Sequence, residues 1–209
     1  MNTNNHYKGK FITFDGPNGA GKSTLIAEVS SLLSMAGVDL FLTAEPTDSP
    51  LGRFIRANEE NYRGKTLAYF VALDRYLHLE NEILPALING KVVLCDRYID
   101  SSLVLQRLDG LNFDFIWDLN KYFCVPDLSI ILTARVEILE KRLLERDKLT
   151  RFERQNSRGN ELDYYLDAAN YLSEHGFNVM TVDNGDKSIK NNADLIVNKI
   201  LPLTRITYT

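Results

Sequence analysis

The stretch Gly16-Pro17-Asn18-Gly19-Ala20-Gly21-Lys22-Ser23 constrains this chain more than any other part of it. It follows a short apolar run, Phe11–Phe14, and opens a segment with apolar residues at Leu25, Ile26, Val29, Leu32 and Leu33, the spacing of one helix face. A glycine-rich turn of the form GxxxxGK[ST] between a strand and a helix is built to hold phosphate. The glycines let the backbone curl so that successive N–H groups face phosphate oxygens, and the helix N-terminus adds its dipole. Lys22 supplies a mobile positive charge, and Ser23 a hydroxyl for Mg²⁺. A turn that merely joined strand to helix would have no use for lysine and serine at those offsets. Gly16, Asn18, Gly19, Ala20, Gly21, Lys22, Ser23 and Thr24 are therefore the candidate nucleotide cradle.

Four further apolar runs, Leu40–Thr43, Val92–Cys95, Leu128–Leu132 and Val179–Val182, read as strands covered on both faces. Helical patterns lie between them: Ser23–Met35 ended by Gly37, Thr66–Asn89 with Pro85 as a kink, Val136–Arg146, Glu161–His175 and Ile189–Leu201. Strand and helix alternate, so the expected fold is α/β, a five-stranded parallel sheet with helices on both faces. No linker or repeat interrupts the pattern. Residues 1–209 read as one domain with a polar tail over 1–9.

Composition narrows the partners. Lys and Arg number 24 against 28 Asp and Glu, a net charge of −4, which argues against sequence-blind nucleic-acid binding. No apolar run approaches the roughly 18 residues of a membrane span, and the polar N-terminus lacks a signal-peptide core. Cys95 and Cys124 read as two buried reduced thiols. A cytoplasmic protein is expected.

Strand three ends Cys95-Asp96-Arg97-Tyr98. An acid at the carboxyl end of a buried strand sits where open α/β sheets bind ligands. Asp96, with Ser23, is thus a candidate metal ligand. The three histidines, His6, His78 and His175, are scattered, and His78 reads as a helix-surface residue.

From about Lys10 to Ile200 the chain resembles the thymidylate kinases, a family of P-loop nucleoside monophosphate kinases. The resemblance rests on the glycine loop ending Ser23-Thr24, then Glu45-Pro46-Thr47-Asp48-Ser49-Pro50-Leu51-Gly52, Asp74-Arg75, Asp96-Arg97-Tyr98, Ser101-Ser102, Gln106, Pro126-Asp127 and Thr150-Arg151-Phe152-Glu153. It implies the three-layer P-loop NTPase fold with a short basic lid at about 142–158. It also implies a homodimer, and ATP with Mg²⁺ as phosphoryl donor to a nucleoside monophosphate, dTMP first. Carried over residue by residue, Arg75 would meet the acceptor base, and Arg97 the acceptor phosphate. Glu45, Phe70 or Val71, Ser102 and Gln106 would line the acceptor site. Arg151 would close over the transferring phosphoryl, with Arg142, Arg146 and Arg154 as alternatives. Lys22, Asp96, Arg97 and Arg151 then form the expected catalytic set.

Four positions depart from the family pattern. The loop carboxylate that contacts a sugar hydroxyl is Asn18, so restoring it with Asn18→Asp is expected to tighten the acceptor. The stacking aromatic is Val71, the tyrosine before Gln106 is Leu105, and the arginine before Glu45 is Ala44. The nearest rival is a deoxynucleoside kinase with Glu45 as base for a neutral sugar hydroxyl. A thymidylate-kinase-like protein with a changed acceptor, or one without turnover, is a further reading. A GTP switch is disfavoured because Asn120-Lys121-Tyr122-Phe123 lacks the acid of a guanine reader.

Overall fold

The computed structural model describes residues 7–146, 149–154, 158–185 and 188–204. Five strands, β1 (Lys10–Asp15), β2 (Leu40–Ala44), β3 (Val92–Asp96), β4 (Leu128–Thr133) and β5 (Val179–Asp183), form one parallel sheet in the order β2-β3-β1-β4-β5. All five expected strands are present. The expectation that each is covered on both faces fails for two of them. β2 and β5 are edge strands, and Leu42 on β2 is half exposed. Alternate side chains of the inner strands enter two separate cores. Phe11, Val93, Cys95 and Ile131 face one side, while Ile12, Phe14, Leu94, Ile130 and Leu132 face the other. Against the second core pack α1 (Lys22–Met35), through Leu25, Val29 and Leu33, and α10 (Ile189–Thr204), through Ala193, Ile196 and Ile200. Against the first pack α5 (Ile99–Leu108), α6 (Phe113–Asn120) and α9 (Arg158–Glu174). The α/β class and the three layers are as expected.

The segment 66–89 is not one kinked helix. It divides into α3 (Gly64–His78), a π-helical turn Leu79–Ile83 and α4 (Leu84–Ile88). Pro85 has no N–H to donate and its ring crowds the carbonyl of Asn81, so the preceding turn widens rather than bends. Three helices, each only eight to ten residues long, were not expected from the sequence: α2 (Pro50–Asn58), α5 and α6. Ser49 caps α2 by accepting the Gly52 N–H, with Pro50 at its first turn, and Asn112 caps α6. Two short helices, α7 (Val136–Leu144) and α8 (Arg151–Arg154), follow β4. Residues 147–148 and 155–157 of the expected lid, and 1–6 of the polar tail, lie outside the described residues.

The chain leaves β1 in one direction to reach β2 and leaves β3 in the other to reach β4. The carboxyl ends of β1, β3 and β4 therefore border a crevice, the place where an open parallel sheet takes a ligand.

Candidate active site

The glycine loop leaves β1 at Asp15 and turns into α1. Gly16 has φ +137°, and a Cβ there would stand 2.3 Å from the Leu132 carbonyl oxygen, so no larger residue fits. Gly21, in the left-handed region, hands the loop to α1. Lys22 lies 7% exposed across the loop, its Nζ donating to the carbonyls of Gly16 (2.8 Å) and Pro17 (3.1 Å). Burial, and then the Arg97 guanidinium, pull its pKa down to about 7.

Asp96 ends β3 beside the loop. The Ser23 hydroxyl donates to its Oδ2 at 3.1 Å, and its Oδ1 is buried without a hydrogen-bond partner among the described residues. A hydroxyl against a carboxylate with an unanswered oxygen is a donor set that suits a hard divalent cation with waters and phosphate oxygens completing the shell. The residues present fit Mg²⁺.

Arg97 follows with φ +71°, the only non-glycine residue among those described with positive φ. Such a backbone is costly and persists where its surroundings over-determine it. Here they do. The Arg97 N–H donates to Phe14 O (2.8 Å), while Asp15, buried at the end of β1, accepts the Tyr98 N–H (3.0 Å) and the Ser101 hydroxyl. Burial pushes Asp15 above the usual carboxylate range, with Ser101, Arg97 and Lys22 opposing it. The turn points the Arg97 guanidinium back over the loop. It donates to Asn18 Oδ1 (2.7 Å) and Ser101 Oγ (3.1 Å). Asn18 in turn donates its main-chain N–H (3.1 Å) and its side-chain N–H (3.3 Å) to Glu161 on α9.

A cavity of about 370 Å³ runs from Lys22, Ser23, Asp96 and Arg97 past Asn18 to Leu67, Val71, Leu105 and Gln106. Arg146, Thr150, Phe152 and Glu153 form another part of its wall. Gln106 Oε1 is buried with no donor among the described residues. Val71 lines the cavity, whereas Phe70 packs edge-on against Phe54 and Tyr62, so the expected stacking position is aliphatic. Aromatic rings reach the wall instead at Tyr98 and at Phe152, neither of which the sequence reading assigned to the acceptor base.

Glu45, Arg75 and Ser102 also line the cavity, but several expected cations are already held by protein partners. Arg75 is 1% exposed, donating to Glu45 (2.8 Å), Asn120 (2.6 Å), the Tyr98 carbonyl (3.0 Å) and Ser102 (2.9 Å). Most of its N–H groups serve the protein rather than the cavity. His78 is not a surface residue: it is 2% exposed between Thr43 Oγ1 (2.7 Å) and Glu45 Oε1 (3.2 Å). The helix turns it inward because residue 78 sits one turn past Arg75, on the same buried face. Arg151 is 3% exposed, held by both oxygens of Asp109 (2.6 and 2.9 Å) while its N–H donates to Glu59, and it does not line the cavity. Arg142 donates instead to the carbonyls of Gly19 (3.3 Å) and Asn184 (2.9 Å). Arg154 pairs with Glu60, and Arg146 pairs with Glu153 at the cavity wall. Of the four lid arginines, only Arg146 lines the cavity. Asp15, Ser101, Phe152 and Glu161 are site residues that the sequence reading missed. Asp15 stands directly before Gly16, and Ser101 and Phe152 lie inside stretches that carry the family resemblance, whereas Glu161 had no such signal.

The low Lys22 pKa has a measurable consequence. A pKa lowered to about 7 favours the neutral amine at pH 8, and an arriving polyanion favours its charged form. Nucleotide binding at pH 8 is expected to take up nearly one proton, seen as a binding enthalpy that varies with the ionisation enthalpy of the buffer. Lys22→Arg, always charged, should abolish that variation. A wild-type enthalpy independent of buffer would contradict the assignment.

A loop shaped for phosphate, a carboxylate and hydroxyl fit for Mg²⁺, and a second cation facing the loop across one cavity are the parts of a phosphotransferase. The comparisons agree. The thymidylate kinase family model matches residues 14–193. The chain is similar to a probable thymidylate kinase of Pyrococcus horikoshii, 37% identical over 155 residues, covering 70% of this chain and 76% of the relative. It is also similar to a thymidylate kinase of Caldicellulosiruptor saccharolyticus, 41% identical over 157 residues (71% and 76%), and to one of a Geobacillus species, 40% identical over 145 residues (66% and 69%). On geometry and likeness together, this chain belongs to the thymidylate kinase family.

Proposed function

We infer that the protein transfers the γ-phosphoryl group of ATP to the phosphate of thymidine monophosphate. One observation carries the reading furthest: Lys22 on the glycine loop and Arg97 on the strand-end turn flank Asn18 in one cavity. That spacing serves a donor and an acceptor that are both phosphorylated. The acceptor phosphate is already anionic at neutral pH, its second pKa being about 6, so its oxygen attacks without a base. A bond forms from that oxygen to the γ-phosphorus, and the bond from the γ-phosphorus to the bridging oxygen breaks, leaving ADP. The chain's own work is to bring two anions together, neutralise them and exclude water. Lys22 serves the donor phosphates and Arg97 the acceptor phosphate. Arg146, at the cavity wall, is the lid cation nearest that work. Ser23 and Asp96 would hold Mg²⁺, which when bound adds positive charge at the donor phosphates.

The structure of Glu45 weighs against a deoxynucleoside kinase. One of its oxygens accepts from Arg75 and the other faces His78, so it is not poised to take a proton from a sugar hydroxyl. The buried Gln106 Oε1 suits a base that presents a ring N–H, as thymine and uracil do and cytosine does not. Turnover with ATP is therefore expected on dTMP, weaker on dCMP and absent on thymidine. Activity on thymidine without activity on dTMP would overturn the reading.

A homodimer and a cytoplasmic location complete the proposal. Tyr69, Leu73 and Leu77 form an exposed stripe along α3, at the i, i+4, i+8 spacing of one helix face. Neither Cys95 nor Cys124 is in a disulfide, and no helix among the described residues is long and apolar enough to cross a membrane. Sedimentation as a monomer at micromolar concentration would remove the dimer from this account.

A further inference from the structure

Glu161 is the one acid that α9 sends into the phosphate site. It is 3% exposed and sits in the first turns of a helix that follows the lid in sequence, 143 residues after the loop residue it touches. Its Oε1 accepts both the main-chain N–H and the side-chain N–H of Asn18. An amide side chain has one donor end and one acceptor end. With the donor end claimed by a carboxylate, the acceptor end must face the other way, and there Asn18 Oδ1 meets the Arg97 guanidinium at 2.7 Å. Glu161, Asn18 and Arg97 thus form one hydrogen-bonded relay, and its negative end lies close enough to raise the basicity of both Lys22 and Arg97.

We propose that Glu161 is a positioning residue for the acceptor phosphate, supplying from α9, through the Asn18 amide, a negative charge that helps Asp96 and Asp15 orient Arg97. This rests on the reading of Arg97 as the acceptor-phosphate group. Positions 18 and 161 then share one carboxylate between them, and the glycine loop carries the amide because the helix carries the acid. The expectation that Asn18→Asp improves the site is reversed. That substitution would place two carboxylates where the present contacts are 3.1–3.3 Å, and like charges so close cannot both stay ionised. The shared proton would weaken the contact to Arg97.

The test is a charge swap in the full-length enzyme, reading kcat, KM for the acceptor, KM for ATP and melting temperature. The series uses dTMP, or whichever monophosphate the wild type turns over fastest. Glu161→Gln should raise the acceptor KM about tenfold or more, with KM for ATP within about twofold, since only the acceptor phosphate meets Arg97. Asn18→Asp should lower kcat/KM by about tenfold. The double variant Asn18→Asp/Glu161→Gln returns one carboxylate to the pair and should recover to within about threefold of wild type. Should Glu161→Gln fail to fold, Glu161→Asp keeps the charge and should retain more acceptor affinity than Glu161→Ala. A double variant as impaired as the product of the two singles would overturn the proposal, leaving Glu161 an anchor for the loop backbone. So would an unchanged acceptor KM in Glu161→Gln. Wild-type failure on dTMP alone would sink only the choice of acceptor; failure on every monophosphate would sink both.

Discussion

Lys22→Ala is expected to lower kcat by about 10³-fold, the loss typical of removing a preorganised group aimed at developing charge. The melting temperature should not fall with it. Lys22 gives up two hydrogen bonds to loop carbonyls, but folding also buries its amine beside Arg97. The pH dependence has a definite sign. The folded pKa of about 7 lies below the ordinary lysine value of 10.5, so between those limits the unfolded chain binds one proton more. Wild-type stability therefore rises with pH across that window. The penalty of the buried charge is fully present below pH 7. Relative to Lys22→Ala, the wild type should gain melting temperature between pH 7 and pH 9. Calorimetric melting at the two pH values, with turnover of the same samples, checks both halves. Turnover above about 5% of wild type in a variant of unchanged melting would sink the loop's catalytic role.

Arg97→Ala should be comparably severe, a loss of about 10³-fold in kcat/KM, as expected when one partner of a buried charge-assisted contact is truncated. The acceptor phosphate would then approach Lys22 and the donor phosphates with one guanidinium fewer. Glu45→Gln separates this chemistry from that of a sugar-hydroxyl kinase, but the structure changes how it must be read. Glu45 is the partner of a buried arginine, and breaking such a pair costs about 3–5 kcal/mol of stability. Lower yield or melting temperature in Glu45→Gln is therefore expected of any mechanism. The discriminating readout is the pH profile of kcat in the protein that does fold. A profile that matches the wild type fits an anionic nucleophile, whereas loss of an acidic limb unique to wild type would assign Glu45 as a base. For Arg97→Ala, a kcat/KM within tenfold of wild type would remove Arg97 from the acceptor site.

The five strands, the glycine loop and its neighbours Asp96 and Arg97 were legible in the chain, because each is a local pattern. A short apolar run, a turn needing positive φ, and an acid ending a strand are all set by residues within a few positions of one another. Helices α2, α5 and α6 were not read, since each spans only eight to ten residues and is too short to stand out from the loops around it. Their caps, Ser49 and Asn112, were visible without being used. The fates of the arginines belonged to the tertiary structure. Arg75, Arg142, Arg146 and Arg151 are alike as letters, yet one is locked onto Glu45 at the cavity wall, one onto loop carbonyls, one pairs with Glu153 beside the cavity and one is clamped by Asp109. Glu161 makes the same point from the other side: its acid reaches Asn18 across 143 positions. A guanidinium or carboxylate on a flexible stem takes whichever partner the fold brings within about 3 Å, and that pairing is decided by long-range packing rather than by neighbouring residues.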